Sequence, residues 1–170
     1  MQGNCTREQQ TSRKNRGSQR CDESSYTRTM KVSPADIAFS LCIRTAANHT
    51  CLRCGIYKPP TNKRGSSGLD CSHVYSRRHR TIRWCADNAK SMCTTCHRWW
   101  HESPADSGTW FADLMGDGFM TLLREKRDSS LKVTKLEEKE IAKHYREQLK
   151  ILEQRRLDGE QGQLTFESWQ

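Results

Sequence analysis

Two C-x2-C pairs, Cys51–Cys54 and Cys93–Cys96, constrain this chain more than any other feature. Thiolates two residues apart in a tight turn can both reach one tetrahedral Zn2+ at about 2.3 Å, and a second such pair closes the site. Gly55, directly after the first pair, suits the backbone turn of a knuckle. Reduced core cysteines or a redox pair are the alternative reading, and the matched spacing of four residues weighs against both. A closed four-thiolate site is structural and by itself names no activity, but it supplies folding free energy. That matters here, because only 34% of the 170 residues are apolar and 29% are charged, a lean composition for a purely hydrophobic core.

The chain carries nine cysteines, an odd number, so a complete disulfide framework is not expected. It has no run of about 18 apolar residues and no apolar leader near Met1, so neither a spanning helix nor a secretory signal is predicted. A cytoplasmic location follows as the expectation, and cysteines there are more often metal ligands than bridges.

Of the net charge of +9, residues 1–31 contribute +4, residues 32–110 contribute +6 and residues 111–170 contribute -1. A polyanionic partner is therefore expected at the front two-thirds. Residues 1–32 have almost no aliphatic side chains and are predicted to form a disordered basic arm. Its Arg13, Lys14, Arg16 and Arg20 would track a nucleic-acid backbone without reading sequence.

Six further elements follow from local signals. Ser33-Pro34 starts a helix to about Asn48, with Ile37, Leu41 and Ile43 facing inward. Leu69 to Tyr75 and Thr81 to Trp84 read as two short strands around the basic loop Ser76-Arg77-Arg78-His79-Arg80. A helix from about Thr95 carries His97 to His101 and closes at Pro104, and Trp110 to Lys126 reads as helix broken near Gly116 and Gly118. Thr134 and Glu137 make a T-x-x-E capping box, ahead of a stripe of Ile141, Tyr145, Leu149 and Leu152 that ends at Gly159. Knuckle, hairpin and helix in that order predict an α+β, treble-clef-like core. The predicted divisions are the arm at 1–32, a zinc-binding core at 33–110, a helical region at 111–158 and a flexible tail at 159–170.

Within that frame stand His73, in Leu-Asp-Cys-Ser-His, Asn88, in Trp-Cys-Ala-Asp-Asn, and His97, directly after Cys96. His101 shares a helix face with His97 at i and i+4. Together with the flanking cysteine pairs, these residues resemble the HNH nuclease motif in its ββα-metal fold. The chain is most similar to phage NinG/Rap-type recombination proteins, over about residues 50–103. The resemblance implies a metal-dependent DNA endonuclease in which His73 is the general base for hydrolysis of a phosphodiester. It implies that His97 and His101 hold a catalytic Mg2+ or Mn2+, and that Asn88 pins the loop carrying His73. It also makes branched or recombination DNA, and a bacterial host cytoplasm, the expected setting.

One position departs from the pattern. Many HNH sites have an aspartate directly before the base histidine, where this chain has Ser72, and Asp70, on the same strand face, is expected to supply that carboxylate directly or through water. Arg77, Arg78, Arg80 and Arg83, with Lys90, are expected to clamp phosphates, giving backbone- or shape-directed binding that weakens as salt rises. Of Trp99 and Trp100, at least one is expected to pack. Cys42, Cys71 and Cys85 read as small core residues, and Cys5 and Cys21 receive no role. Two rivals stand beside the enzyme: a non-catalytic zinc-dependent DNA-binding or architectural module, and an interaction protein whose C-terminal helix pairs with a second copy or another phage protein.

Overall fold

A computed structural model describes residues 30–60, 68–130 and 133–169. The predicted arm, apart from its last residues, and the loop over 61–67 lie outside the described residues, as do Cys5 and Cys21. Among the described residues the fold is α+β: five α-helices and one two-stranded antiparallel sheet. The helices are α1 (Pro34–Ala46), α2 (Thr94–Glu102), α3 (Pro104–Met115), α4 (Asp117–Asp128) and α5 (Glu137–Leu157), and the strands are β1 (Leu69–His73) and β2 (Ala89–Cys93). None of these helices is long and apolar enough to cross a membrane.

Helix α1 starts where its sequence says it should. The Ser33 side chain accepts from Asp36 N–H at 3.3 Å, and the Asp36 carboxylate accepts from Ser33 N–H at 2.9 Å, a reciprocal cap worth about 1 kcal/mol. Its buried face differs from the expected one: Ile37 is 37% exposed, while Ala35, Ala38, Phe39, Cys42, Ile43 and Ala46 are buried. Small alanines and a cysteine let α5 approach closely, so the contact face carries less grease than the residues beside it. Helix α5 answers with Ile141, Tyr145 and Leu152, all fully buried, behind its capping box of Thr134 and Glu137.

The sheet is where expectation and structure part. The first strand forms as expected but ends at His73 rather than Tyr75, whereas Thr81 to Trp84 forms a turn, and the second strand is Ala89–Cys93. Its register pairs Leu69 with Cys93, Asp70 with Met92, Cys71 with Ser91, Ser72 with Lys90 and His73 with Ala89. Thr-Ile-Arg-Trp has the better strand composition, yet Asp36 on α1 binds both Arg83 and Trp84 and draws that segment out of the sheet.

Two apolar clusters result. One joins α1, α5, Trp84, Ala89 and Leu164; the other joins Cys51, Leu69, Met92, Cys93 and Cys96 beneath Trp100 and Trp110. Helix α2 ends at Glu102, just before Pro104 as expected, and Pro104 then starts α3; the expected boundary at residues 110 and 111 falls inside α3, and Gly116 at φ +82° breaks α3 from α4. The tail expected to be loose is packed. Leu164 is 5% exposed, its N–H bonds Ala46 C=O at 2.8 Å, and Arg156 caps the carbonyls of Thr45, Ala46 and Gly162.

Candidate metal centres and nuclease-like site

The first knuckle is a tight turn in which Gly55 N–H returns to Cys51 C=O at 2.9 Å, with Gly55 at φ +70°, a conformation that suits glycine. Leu52 N–H bonds Ser91 C=O at 2.8 Å and so ties the knuckle to β2. The second pair spans the end of β2 and the first turn of α2. The sulfur atoms of Cys51, Cys54, Cys93 and Cys96 all lie within 4.8 Å of one another, with Cys54 and Cys93 at 3.7 Å. A tetrahedral ion with bonds of about 2.3 Å needs sulfur–sulfur edges of about 3.8 Å, so the four residues could hold zinc with shifts of at most about 1 Å. Among the described residues this is the one group of three or more cysteine, histidine or acidic side chains that close together.

Burial raises the Cys51 thiol, but N–H groups of Cys93, Cys54 and Arg53 outweigh it and hold the group at about 7. Thus one ligand is poised to lose its proton before metal arrives. Sequence reasoning missed Arg53, which stands between the first two ligands. Its Nη1 is 3.8 Å from Cys96 Sγ, and its guanidinium lies 3.7 Å from the Trp99 ring centre. A zinc ion with four thiolates carries two net negative charges, and Arg53 offsets one of them.

On the outer face of β1, Asp70 Oδ2 meets His97 Nδ1 at 3.1 Å, and His97 Nε2 meets His101 Nε2 at 3.0 Å. The three residues form a line rather than a ring. Two imidazole nitrogens that bind one ion at about 2.1 Å and near 90° stand about 3.0 Å apart, so His97 and His101 fit a shared ion through Nε2. The Asp70 carboxylate sits on the opposite nitrogen of His97, where it orients the ring instead of joining the ligand pair. Burial, then the neighbouring His97, pushes His101 below the ordinary histidine value.

His73 closes β1. Its Nε2 lies 3.0 Å from Arg83 C=O, and its ring rests against Phe39 at 6.0 Å between centres. A carbonyl only accepts, so Nε2 carries the proton and Nδ1 the lone pair of the neutral ring. Burial lowers the His73 value and Arg77 lowers it further, while the backbone of Arg83, then that of Cys71, and the Asp36 charge oppose them; the net shift is downward, favouring neutral imidazole. Asn88 is fully buried in the 3-10 turn before β2. Its Oδ1 accepts from Tyr75 N–H at 2.8 Å, while Nδ2 donates to the carbonyls of Tyr75 and Ile82 at 3.0 Å each. One side chain therefore fixes the backbone on both sides of the basic loop.

The five expected phosphate contacts separate. Arg77 and Arg78 stand on the turn after β1. Arg80 is drawn to α5, donating to Val133 C=O and Glu138 at 3.1 Å each. Arg83 is 4% exposed and paired with Asp36, so it is a structural residue and not a surface clamp. Lys90 is part-buried with its ammonium 5.4 Å from the Phe119 ring centre, and burial pushes its value down despite Asp87. Trp99 and Trp100 both pack edge-to-face on Trp110. The helix α4 residue Arg127, absent from the sequence reading, covers the Tyr75 ring at 4.6 Å. No protein-family profile, curated protein or solved structure matches the chain.

Proposed function

We propose that the chain is a metal-dependent endonuclease of the HNH type, built on a treble-clef-like zinc knuckle and acting on DNA. The observation that carries this reading is the clamp behind His73. Asn88 holds the Tyr75 backbone at both its N–H and its C=O, and the Arg83 carbonyl accepts from His73 Nε2. Burial keeps the ring neutral against the pull of that carbonyl, and the carbonyl draws the proton to Nε2, so Nδ1 is the nitrogen left to take a proton from water attacking phosphorus. His97 and His101 would hold a divalent ion through Nε2, oriented by Asp70. When bound, such an ion stabilises charge on the phosphate oxygens. Two imidazoles without a direct carboxylate suit Mn2+, Co2+, Ni2+ or Zn2+ better than Mg2+, which prefers oxygen ligands.

Arg77 and Arg78 are the cations placed to meet phosphates beside the base, which supports binding to the DNA backbone. The resemblance to phage recombination proteins makes branched DNA the substrate to try first, in a bacterial host cytoplasm.

A second reading, a zinc-dependent DNA-binding module that does not cleave, is favoured by one specific observation. Alternation along β1 puts His73 on the Cys71 side, against Phe39 of α1, whereas Asp70 lies on the side of His97. The base and the metal residues thus start on opposite faces of one strand. The stripe invoked for association through the C-terminal helix is covered by α1 of the same chain, which removes the main support for that rival.

Stripping loosely held metal and adding back Mn2+, Zn2+ or Mg2+ separately to supercoiled plasmid tests the proposal. Nicking that returns with a transition ion is expected. Failure with every ion would overturn the enzyme reading in favour of the binding module.

A further inference from the structure

Asp36 lies on α1, outside the β1–β2–α2 unit, and no role in a site was expected of it. Its two carboxylate oxygens nevertheless accept four hydrogen bonds. Oδ1 takes Arg83 Nε at 2.8 Å and Trp84 Nε1 at 3.0 Å, while Oδ2 takes Arg83 Nη2 at 2.5 Å and Ser33 N at 2.9 Å. Asp36 is 7% exposed and Arg83 4%, and a buried pair of this kind is costly to break from one side.

The two residues it binds are consecutive, and the peptide group between them carries the Arg83 carbonyl. That carbonyl is the partner of His73 Nε2 at 3.0 Å. The next carbonyl along, that of Trp84, is held by the Tyr145 hydroxyl of α5. Holding both flanking side chains on one carboxylate fixes the path of the backbone on either side of the Arg83–Trp84 peptide and so restricts where its carbonyl can point. We propose that Asp36 is a positioning residue for His73: by fixing this peptide it keeps the imidazole proton on Nε2 and the lone pair on Nδ1. The catalytic consequence rests on the nuclease reading; the tautomer itself does not.

Groups that face His73 are Phe39 and Asp36 from α1, Arg77 from the following loop, and the backbone of Cys71 and Arg83. Because the Asp36 charge also acts on His73 directly, its titration midpoint moves on any neutralising change, and the tautomer ratio is the informative readout.

The experiment is nitrogen NMR of the His73 ring in the zinc-loaded full chain at pH 8, assigned with a His73→Gln variant. Wild type is expected to show the Nε2–H tautomer alone. Asp36→Asn is expected to show a mixture of tautomers, and Trp84→Phe, which removes a single tether and keeps an aromatic ring, a smaller shift the same way. Should Asp36→Asn fail to fold or retain zinc, Trp84→Phe decides the question. An unchanged Nε2–H tautomer in the folded variant would overturn the proposal. In DNA cleavage, Asp36→Asn is expected to lower kcat on the order of a hundredfold with KM unchanged; a loss confined to KM would count against positioning. A wild type that cleaves nothing contradicts the nuclease reading, while the tautomer comparison still decides for or against Asp36.

Discussion

Replacing Tyr145 by phenylalanine deletes one buried oxygen and keeps the ring, which packs on Phe39 at 5.0 Å and Phe166 at 6.1 Å between centres. That oxygen joins three distant parts of the chain. It donates to Trp84 C=O and accepts from Trp169 N–H at 2.8 Å, so α5 is tied both to the segment beside His73 and to the packed tail. Burial pushes the hydroxyl above its ordinary value, so it remains a donor throughout the usual pH range. In Tyr145→Phe the buried Trp84 carbonyl loses its side-chain donor, at about 1–3 kcal/mol, and the part-buried Trp169 N–H adds up to about 1 kcal/mol. The expected loss is thus about 1–4 kcal/mol. At about 2–4 °C per kcal/mol for a chain of this size, Tm should fall on the order of 10 °C. Urea unfolding followed by circular dichroism, at constant excess zinc, measures the loss directly. A change below about 0.5 kcal/mol would refute the claim that this hydroxyl holds the tail and the His73 segment together.

Three further outcomes follow from the same geometry. One zinc per chain should survive dialysis, bound by Cys51, Cys54, Cys93 and Cys96; Cys93→Ser should lose it together with the cooperative unfolding transition, and a folded zinc-free variant would contradict a structural role. Asp70→Asn should weaken the second ion at His97 and His101 by about 10–100-fold in a metal titration without affecting the first, since the carboxylate orients the ligand ring; an unchanged affinity would assign Asp70 no such role. Stability should also fall on mild acidification. His73 and His49 are both held below 6.5 by burial in the folded chain, with Arg44 and Arg156 adding to the effect at His49. The unfolded chain then binds more protons, so their contribution is complete above about 6.5 and is lost as pH falls through the folded values. Urea midpoints at pH 7.5 and 5.5 check this, and a higher midpoint at pH 5.5 would show the sign to be wrong.

What could be read from sequence was what depends on residues close together along the chain. The paired cysteines, the Thr134–Glu137 box and the stripe of Ile141, Tyr145 and Leu152 are set by turn and helix geometry over a few positions, and all are present. The second strand was misplaced because Ala-Lys-Ser-Met-Cys carries no β-branched or aromatic residue, whereas Thr-Ile-Arg-Trp does. What overrides that preference is Asp36, 47 positions before Arg83, and no local pattern announces so distant a bond. The same holds for the tail, whose anchors at Ala46, Ala86 and Tyr145 lie far back in the chain. Arg83 illustrates the cost: beside Arg77, Arg78 and Arg80 it reads as one of a basic surface row, yet a single buried carboxylate makes it a core residue. At the site, residue types were legible, but the split of His73 from Asp70 across β1 follows from strand alternation and from which face α1 covers.

The central claim, that His73 is the base of a DNA-cleaving centre, is tested most directly by comparing wild type with His73→Ala. Both would be given supercoiled plasmid and a four-way junction at low salt, with binding and cleavage read on the same samples. The account predicts that both proteins bind with similar affinity and retain zinc, that wild type cleaves when a divalent transition ion is present, and that His73→Ala cleaves at least about a hundredfold more slowly. Equal cleavage by the two proteins, or binding by both with cleavage by neither, would contradict it.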